Sequence, residues 1–404
     1  MSTIGVIGGG ASGFFSAISA KQHFPQSKVI IFERSSKFLA KVKISGGGRC
    51  NVANACFDNR ILAAHYPRGE NYLRKAFEQF NAQSTVDWFE SRGVKLKTYS
   101  DNCIFPQSNN SQTIIDCFMQ EVINKGIELK SNFHVKHIEL KGEGFSISND
   151  EETFYLDRLI VTTGGQPKSS GLKWLEHLGI AMIDPVPSLF TFNMPNDPIR
   201  ELMGNVVEKT IVRVEGSKLT GRGPLLITHW GMSGPAILQL SAWGARELAS
   251  RNYQFTILVN WLNEMKEEDL RIELSNALKK EPLKMLTTYN PFPITLRLWH
   301  FLLNRAAIPV ELRWKDLSGK NLNRLINTLI NDRYQVEGKT TFKEEFVTAG
   351  GISLKDIDFK TMQCRNKKGL FFAGELLDID GITGGFNFQA AWTTGFIAGR
   401  HVGH

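Results

Sequence analysis

A strand, a glycine-rich turn and a helix follow one another at the beginning of the chain, in the segment TIGVIGGGASGFFSAI. The apolar run at residues 4–7 is typical of a parallel strand that is covered on both faces, and it precedes a GxGxxG pattern made by Gly8, Gly10 and Gly13. The first glycine permits a tight turn, the second lets backbone approach a pyrophosphate, and the third lets the helix pack on the strand. A helix beginning at Ala11 would point its unpaired N–H groups at that phosphate.

A second predicted strand, KVIIFER, ends at Glu33, which lies 20 residues after Gly13. An acidic side chain at this distance can accept hydrogen bonds from the ribose of adenosine. A GxGxxG pattern alone could be a purely structural turn. The complete order of strand, turn, helix, strand and acid favours a binding site for the adenylate part of a dinucleotide.

Length and composition limit the class of protein. With 404 residues, 42% of them apolar, the chain predicts two or three domains rather than one core. No apolar run approaches the roughly 18 residues of a membrane span, and no signal peptide precedes the first strand, so we expect a cytoplasmic protein without a membrane partner. Five cysteines without a CxxC pair are consistent with free thiols in a reducing compartment.

The charge of the chain is moderately positive. Its formal net charge of +8 arises from 48 basic residues scattered among 40 acidic ones, without a dense basic block. The pattern predicts mild attraction for anions such as nucleotides and disfavours nucleic acid as a partner.

The segment AKVKISGGGRCNVAN, residues 40–54, is predicted to be a loop lying over the nucleotide. Its three successive glycines would bring backbone amides close to a ligand, while Lys41 and Arg49 can neutralise phosphates. Ser45 and Asn51 add hydrogen-bonding groups. The alternative is a flexible surface loop with solvated charges.

Two later segments direct further glycines toward the same crevice. Residues 133–157 alternate apolar and polar positions and predict a small antiparallel meander, which a buried strand at Leu159 to Val161 follows. This strand ends in TTGG, so its carboxyl end brings glycines to the edge where open parallel sheets bind ligands.

The C-terminal segment GLFFAGELLDIDGITGGFNFQAAWTTGFIAG predicts a strand, a Gly-Glu turn, an acidic loop and a final helix. Ala391, Gly395 and Gly399 recur every fourth residue and would form one flat face, for which helix packing is a sufficient explanation. The helix N-terminus near Phe386 and Asn387 would offer positive potential to an electron-rich ligand atom, such as the N1–C2=O region of a reduced flavin.

These motifs together resemble the bacterial BaiN-type FAD-dependent oxidoreductases, a branch of the glutathione-reductase-like flavoproteins that also includes aminoacetone oxidases. The resemblance is carried by GGGASG, SGGGRCNVAN, LIVTTGG, THWGMSGPAIL, VTAGGIS, TMQC and GLFFAGELLDIDGITGGFNFQAAWTTG. It implies non-covalently bound FAD. The residues that it assigns to the cofactor are Gly8, Gly10, Ala11, Ser12, Gly13, Glu33, Arg34, Lys41, Ser45, Gly46, Gly48, Arg49, Cys50, Asn51, Val135, Thr163, Gly164, Gly374, Glu375, Asp378, Gly385, Phe386 and Asn387.

Within that assignment, the adenosine lies at Glu33 and Arg34 and the pyrophosphate at residues 10–13. The ribityl chain and isoalloxazine lie near Lys41, residues 49–51, Glu375 and residues 385–387. Val135, expected in the first strand of the meander, would contact adenine through its backbone.

The resemblance also implies an α/β fold in which inserted lobes interrupt a Rossmann-like FAD-binding domain of glutathione-reductase type. The expected parts are the first part of the FAD domain (1–189), a β-barrel-like lobe (190–262), a helical lobe (263–336), a return strand of the β-lobe (337–345) and the second part of the FAD domain (346–404). In the β-lobe we expect one helix with Ser233 as its cap and Pro235 in its first turn.

Flavin carries the redox chemistry, so no catalytic residue is assigned. His229 is the most evident candidate acid or base, although satisfying a turn explains it equally well. Cys50 and Cys56 have the wrong spacing for a redox-active pair. No second dinucleotide motif is present for NAD(P)H, which could still dock transiently.

The favoured hypothesis is hydride transfer between FAD and a small organic substrate, with reduction of an activated double bond by NAD(P)H as one form. The alternatives are an oxygen-using amine oxidase, a tRNA-associated flavoprotein and a non-catalytic flavin sensor.

Overall fold

The structure is a computed structural model that describes residues 2–166, 168–340 and 347–403. The strands are β1 (Thr3–Ile7), β2 (Lys28–Phe32), β3 (Ala53–Asn54), β4 (Leu96–Thr98), β5 (Cys103–Pro106), β6 (Glu128–Lys130), β7 (His137–Lys141), β8 (Gly144–Ser148), β9 (Thr153–Leu156), β10 (Arg158–Val161), β11 (Met182–Ser188), β12 (Thr191–Asn193), β13 (Val206–Val214), β14 (Thr220–Thr228), β15 (Gly231–Ser233), β16 (Gln254–Asn260), β17 (Asp332–Glu337), β18 (Lys339–Thr340), β19 (Val347–Ile352), β20 (Ile357–Asp358), β21 (Gln363–Cys364) and β22 (Leu370–Phe372).

The α-helices are α1 (Ala11–His23), α2 (Ala40–Gly48), α3 (Asn59–Ala63), α4 (Glu70–Ala76), α5 (Ala82–Glu90), α6 (Gln112–Lys125), α7 (Pro235–Trp243), α8 (Ala245–Ser250), α9 (Glu267–Lys280), α10 (Leu296–Arg305), α11 (Gly319–Ile330) and α12 (Phe386–His401). Short 3₁₀ helices lie at Ser169–Leu178, Pro198–Leu202, Trp314–Asp316, Leu354–Asp356 and Gly374–Leu376.

The chain divides into two compact units. The first comprises Met1–Ser188 and Phe342–His404, and the second comprises Leu189–Thr341. The finer division of the second unit at 262 and 336 stays a prediction.

The first unit is built on a seven-stranded sheet in the order β20-β21-β22-β10-β1-β2-β6. The strands β22, β10, β1, β2 and β6 are parallel, with β1 paired to both β10 and β2. Residues 4–7 of β1 and 159–161 of β10 are almost completely buried, as their apolar sequences predict. The carboxyl ends of these parallel strands therefore meet at one edge of the sheet. The GxGxxG, TTGG and Gly-Glu segments follow β1, β10 and β22 at that edge.

Helices α1 and α12 pack directly against each other, and small residues make this possible. A Cβ atom built on Gly395 would lie 2.7 Å from the carbonyl oxygen of Ser12, and one on Gly399 would lie 2.2 Å from that of Ser16. The small-residue face predicted for the last helix is thus a helix-packing face. It brings the C-terminal segment of the chain onto the first strand-turn-helix unit.

The meander predicted after residue 133 is present as the antiparallel sheet β7-β8-β9. Val135 was expected in the first strand of this meander, but it precedes β7 by two residues. The prediction of a loop over residues 40–54 is also wrong in part. Residues 40–44, which contain no glycine, form helical turns at the start of α2. The helix is interrupted where Ser45, Gly46 and Gly47 leave helical backbone angles.

The second unit contains a seven-stranded sheet in the order β17-β16-β13-β14-β15-β12-β18. Its pairs are antiparallel, and α7 follows β15. Ser233 does not cap α7, because it is the last residue of β15. Gly234 is the N-cap, and Pro235 occupies the first helical turn.

The helices expected in residues 263–336 are α9, α10 and α11. The sequence LNRLINTLINDRY was predicted to be helical throughout, but α11 ends at Ile330 and β17 begins at Asp332. Tyr334, Val336 and Asp332 alternate on the buried face of β17, which is strand periodicity. The predicted return strand at 337–345 includes β18, which pairs with β12. Residues 341–345 and the expected junction at Phe346 lie outside the described residues.

Candidate functional site

The three glycines that follow β1 have three different environments. Gly8 has a positive φ of 109°, and a Cβ there would lie 2.5 Å from the carbonyl oxygen of Thr162. A Cβ on Gly13 would lie 1.9 Å from the carbonyl oxygen of Gly8, so this glycine sets the contact between α1 and β1. A Cβ on Gly10 would meet nothing within 4 Å. Only this middle glycine faces open space, as a position reserved for a ligand should.

The N-terminus of α1 opens toward that space without a side-chain cap. Gly10 is the N-cap residue and carries no capping hydrogen bond. The hydroxyl oxygens of Ser12 and Thr163 are buried and have no hydrogen-bond partner among the described residues. Burying an unpaired hydroxyl costs about 1–3 kcal/mol. Uncapped amides and two unpartnered hydroxyls form a set of donors suited to an anionic, oxygen-rich ligand.

Glu33 lies directly after β2, and its carboxylate is held in place by backbone. Its Oε2 accepts a hydrogen bond from the Gly9 N–H at 2.9 Å, and its Oε1 accepts from the Ser35 N–H at 2.9 Å. The carboxylate is therefore fixed beside the glycine turn. Arg34 is exposed next to it, and Val135 is buried in a segment whose Phe133 N–H donates to the Glu33 carbonyl at 2.9 Å.

The segment that follows α2 places its arginine on an aromatic ring. The Arg49 guanidinium lies 4.4 Å from the centroid of Phe105, and its Nε donates to the Gly46 carbonyl at 3.2 Å. The Ser45 hydroxyl donates to the Val42 carbonyl at 2.9 Å. Cβ atoms on Gly47 and Gly48 would meet nothing within 4 Å, so one side of this turn is open.

An ion pair joins α2 to the segment after β22. The Lys41 Nζ lies 3.0 Å from Glu375 Oε2, and Glu375 Oε1 accepts a hydrogen bond from the Thr348 N–H at 3.1 Å. A Cβ on Gly165 would lie 2.7 Å from that same Oε1. The TTGG turn, the AGE segment and α2 therefore meet around one carboxylate. The hydroxyl of Thr348, which lies in the VTAGGIS motif but was not assigned to the cofactor, is buried without a partner among the described residues.

Asn51 connects the SGGGRCN segment to the start of α12. With its amide nitrogen donating to the carbonyls of Ala53 at 3.0 Å and Ile104 at 3.2 Å, its oxygen accepts from the Gly385 N–H at 3.1 Å. A Cβ on Gly385 would lie 2.5 Å from the Ala53 carbonyl. Asn51 thus fixes the position of a helix N-terminus.

The side chain of Asn387, in the first turn of α12, bonds to the loop that precedes the helix. Asn387 Oδ1 accepts from the Gly381 N–H at 2.9 Å, and its Nδ2 donates to the Gly381 carbonyl at 3.0 Å. Gly385 is the N-cap and has no side-chain cap. Gly374 packs on α1, since a Cβ there would lie 2.7 Å from Ser12 Cβ, and Asp378 is buried with its N–H donating to the Ile352 carbonyl at 3.0 Å.

Sequence reasoning missed a group of residues around the acidic loop LLDIDG, residues 376–381. Arg68 forms a two-pronged ion pair with Asp380, which is completely buried, and the Ser188 hydroxyl donates to Asp380 Oδ2 at 2.6 Å. Burial raises the pKa of the Asp380 carboxyl, and the Arg68 guanidinium opposes that rise. Asp380 is visible in the sequence as part of the acidic LLDIDG segment. Nothing in the sequence HYPRG indicates that its arginine, Arg68, is the partner. The Tyr66 hydroxyl donates to the Phe386 carbonyl at 2.6 Å, and His65 stacks on the Phe386 ring.

The cysteines do not form a reactive pair. Cys50 is buried with a positive φ of 61°, and burial raises the pKa of its thiol to about 12, against a smaller lowering by the Ser45 hydrogen bond. Burial also raises the pKa of Cys56. Both are free thiols, and both stay protonated near neutral pH.

His229 belongs to the second unit. It lines a cavity of about 550 Å³ together with residues that include Pro195, Asp197, Arg200 and Met203. Its carbonyl accepts from Arg200 Nε at 2.7 Å, and its ring contacts Trp230 edge-on at 4.3 Å.

Within the described ranges, no group of three or more His, Cys, Asp or Glu residues could hold a metal ion. In those same ranges, no helix is both long enough and apolar enough to cross a membrane.

The donor set of the first unit fits FAD. The unpartnered hydroxyls of Ser12, Thr163 and Thr348 and the open space at Gly10 and Gly164 would accept a long ligand with many acceptor oxygens. Gly395 packs on Ser12, and nine residues of helix, about 14 Å, separate it from the N-terminus of α12. Two uncapped helix ends thus lie apart on one ligand path, as a pyrophosphate and a flavin joined by a ribityl chain require.

Comparison with known proteins gives a consistent result. A family model described as "HI0933-like protein Rossmann domain" matches residues 2–401. The chain is 28% identical over 416 residues to a 3-dehydro-bile acid delta(4,6)-reductase of Clostridium scindens, covering 99% of this chain and 98% of that protein. It is 26% identical over 406 residues to a ribosomal RNA dihydrouridine synthase of Escherichia coli, covering 98% and 97%.

The fold is similar to solved flavoprotein structures. A 3-ketosteroid delta1-dehydrogenase from Sterolibacterium denitrificans, in complex with 1,4-androstadiene-3,17-dione, has a TM-score of 0.51 at 13% identity and covers 100% of this chain and 99% of that chain. The FrdA chain of an E. coli quinol fumarate reductase has a TM-score of 0.50 at 14% identity and covers 100% and 70%. These likenesses support an α/β Rossmann fold with additional antiparallel sheets.

Proposed function

The chain belongs to the HI0933-like flavoprotein family, and from that membership we propose that it reduces a carbon–carbon double bond conjugated with a carbonyl group. It is an FAD-dependent oxidoreductase, as its full-length relatives are flavoprotein enzymes. The reaction class, the electron donor and the residues that hold FAD are parts of the proposal.

The first unit supplies the residues that would hold FAD. The Glu33 carboxylate and the segment around Val135 would bind the adenosine, with Arg34 beside them. The amides of residues 10–13 would bind the pyrophosphate, and the Ser12 and Thr163 hydroxyls would gain the partners that they lack. Lys41, Glu375, residues 49–51 and residues 385–387 would surround the ribityl chain and the isoalloxazine.

When bound, FAD supplies two-electron chemistry by giving or accepting a hydride. The residues of this chain position it and set its electrostatics. The uncapped N-terminus of α12 carries a partial positive charge that would stabilise negative charge on a reduced flavin. Asn51 and Asn387 hold that helix end in place, and the protonated thiol of Cys50 adds no charge of its own.

The printed names of two relatives share one kind of chemistry. A delta(4,6)-reductase of a 3-dehydro-bile acid saturates double bonds in conjugation with a ketone, and a dihydrouridine synthase saturates the double bond of uracil beside its carbonyl. Both matches extend over nearly the whole of each chain. The common reaction, rather than either substrate, is therefore what we assign here.

The observation that carries the proposal is the meeting of four elements of the first unit around Glu375 and Ser12. The turn after β10, the segment after β22 and helices α1 and α2 each contribute a contact there. A single turn could arise for structural reasons alone. Four elements that leave open space and unpartnered hydroxyls favour a large bound cofactor.

The test begins with the purified protein, loaded with FAD and kept anaerobic. NADH and NADPH are added separately while the oxidised flavin absorbance is followed, and the reduced protein is then mixed with a 3-oxo-4,6-diene steroid. Bleaching by one nicotinamide and recovery of the absorbance on addition of the steroid, with formation of a saturated product, support the proposal. A flavin that no nicotinamide reduces contradicts the NAD(P)H-dependent form and favours the sensor. Release of peroxide with an amine and oxygen favours the oxidase.

Ribosomal RNA is the second candidate substrate. The scattered charge of the chain disfavoured nucleic acid, but the E. coli dihydrouridine synthase and a relative of the same name from Haemophilus influenzae, 26% identical, weaken that expectation. Residues 189–340 contain 20 Lys and Arg against 15 Asp and Glu, so they carry most of the net positive charge. In the same assay, unmodified ribosomal RNA replaces the steroid. Salt-sensitive binding and formation of dihydrouridine would identify RNA as the substrate, with tRNA as the comparison.

A further inference from the structure

The imidazole of His65 lies against the first residue of α12. Its ring is parallel to that of Phe386, with an interplanar angle of 9° and a centroid distance of 4.4 Å. Phe386 is buried, whereas the side chain of His65 is partly exposed. His65 therefore lies beside the helix end whose positive potential suits a reduced flavin, and its side chain is partly exposed.

The backbone around His65 is fixed from two directions. The carbonyl of His65 accepts a hydrogen bond from the Ile382 N–H at 3.1 Å, and the next residue, Tyr66, bonds to the Phe386 carbonyl. The Arg68–Asp380 ion pair follows two residues later. These contacts set the position of the imidazole relative to the N-terminus of α12.

The hydrogen bonding of the ring determines which nitrogen can exchange a proton. Nδ1 lies 2.8 Å from the carbonyl oxygen of Ile61. A carbonyl only accepts, so Nδ1 carries a hydrogen in both the neutral and the charged ring. Nε2 has no hydrogen-bond partner in the part of the chain that the structure describes. It is therefore the atom that gains or loses the proton.

The other ionisable groups on the segments packed around His65 either have bonding partners of their own or have a pKa that burial raises. Asp58 caps α3 through the N–H groups of Arg60 and Ile61, and burial raises the pKa of the neighbouring Cys56 thiol. Burial also raises the pKa of Tyr66 well above 10, so its hydroxyl stays protonated. In the acidic loop, Asp380 pairs with Arg68, and Asp378 is buried beside it.

We propose that His65 is the proton-exchanging residue of the flavin site, taking up a proton at Nε2 when the flavin is reduced and giving it to the substrate. The inference rests on the proposed function. In the reduction of a conjugated double bond, the hydride from reduced FAD brings one electron pair to one carbon. The π electrons move to the other carbon, which takes the proton from Nε2. The imidazole left behind is neutral, and it takes its next proton from water when the flavin is reduced again.

The test needs no substrate. The midpoint potential of bound FAD is measured from pH 5.5 to 9 in the wild-type protein, in H65Q and H65N, and in H23Q as a matched control. The Nδ1 of His23 likewise lies 2.8 Å from a carbonyl oxygen, that of Ser19, and its ring contacts Phe396 edge-on, but His23 is the last residue of α1 and not a neighbour of Phe386. In the wild type and H23Q, an additional slope of about 30 mV per pH unit is expected over part of the range, the two-electron equivalent of a tenfold change.

In H65Q and H65N that additional slope should be absent, and below pH 7 the potential should be lower because a positive charge near the reduced flavin is lost. If either variant keeps the wild-type profile, His65 does not exchange the proton and the inference is wrong. Imidazole ¹⁵N NMR of the wild-type protein gives a readout without mutation. One histidine should change from neutral to charged when the flavin is reduced at constant pH, and no change in any histidine would contradict the proposal.

The outcomes separate the two levels of the argument. A chain that binds no FAD fails the proposed function and the inference with it. A chain that binds FAD with the same pH profile in all variants leaves the flavin site intact and overturns only the assignment of His65.

Discussion

The two glycines Gly10 and Gly13 should respond in opposite ways to the same substitution. Alanine at Gly13 gains about 1 kcal/mol of helix propensity. Its Cβ, however, would lie 1.9 Å from the Gly8 carbonyl oxygen and 2.8 Å from Thr162 Oγ1. Backbone must move to make room, so the cost should lie at the upper end of the usual range for overpacking, about 3 kcal/mol. We expect a net loss of about 2 kcal/mol from the protein without cofactor, which for a unit of this size lowers Tm by roughly 4–8 °C.

Alanine at Gly10 meets no atom within 4 Å and has ordinary backbone angles, with φ at −96°. Replacing a glycine N-cap by alanine costs about 1 kcal/mol at most, so Tm without cofactor should fall by less than about 4 °C. The methyl group would occupy the space that we assign to the pyrophosphate. FAD affinity should therefore fall at least tenfold, about 1.4 kcal/mol.

The assay is thermal unfolding of each protein with and without FAD. At a concentration about 100 times Kd, FAD should add about 2.7 kcal/mol to the stability of the wild type. G10A should lose about half of that gain or more, whereas G13A should lose stability already without FAD. Wild-type FAD affinity in G10A would refute the placement of the pyrophosphate, and an unchanged Tm in G13A would refute the packing argument.

Three further predictions concern stability and binding. T163V removes a buried hydroxyl without a partner among the described residues. The Tm without cofactor should therefore stay constant or rise in calorimetry, while the binding free energy of FAD weakens by about 1 kcal/mol in a fluorescence titration. A fall of both the Tm and the FAD affinity would contradict the prediction. R68M leaves Asp380 buried and unpaired, which should cost about 3–5 kcal/mol in urea unfolding, and the double variant with D380N should recover part of that loss. Burial raises the pKa of Cys50 from 9.0 to about 12, so the contribution of its protonated thiol to stability is complete below pH 9 and is lost as the pH rises toward 12. Between pH 8 and 10.5, the free energy of unfolding of the wild type should therefore fall by about 2 kcal/mol more than that of C50A. Equal losses in the two proteins would show that this thiol does not titrate as a buried group.

Sequence reasoning identified most local elements of the first unit, because their signals lie within a few residues, but it missed the helical turns of α2. The order of β1, the glycine turn, α1 and β2 follows from an apolar run, three glycines and a second apolar run. The meander and the helices α9 and α10 follow from period-two and helical patterns. Errors occurred where short-range signals compete, as at Ser233, which satisfies the rules for a cap but belongs to β15.

Family membership was also predicted from the sequence, and the match over residues 2–401 confirms it. Motifs such as SGGGRCN and GGFN identify the family because they are long and unusual in composition. They do not state what each residue does. The contact of Asn51 with the cofactor stays a prediction, and the structure adds a role that the motif does not state, because the Asn51 amide fixes the N-terminus of α12 through Gly385.

The sequence alone determined that a dinucleotide-type turn opens this chain and that glycine-rich segments return to it, because backbone sterics and apolar periodicity are local properties. Only the tertiary structure placed Arg68 on Asp380 and His65 on Phe386, residues more than 300 positions apart. Such pairs depend on the packing of α12 against α1, which brings the end of the chain to its beginning. The small residues of α12 indicate a close helix contact, but no local pattern names its partner, because the contact arises from the burial of two helix faces against each other.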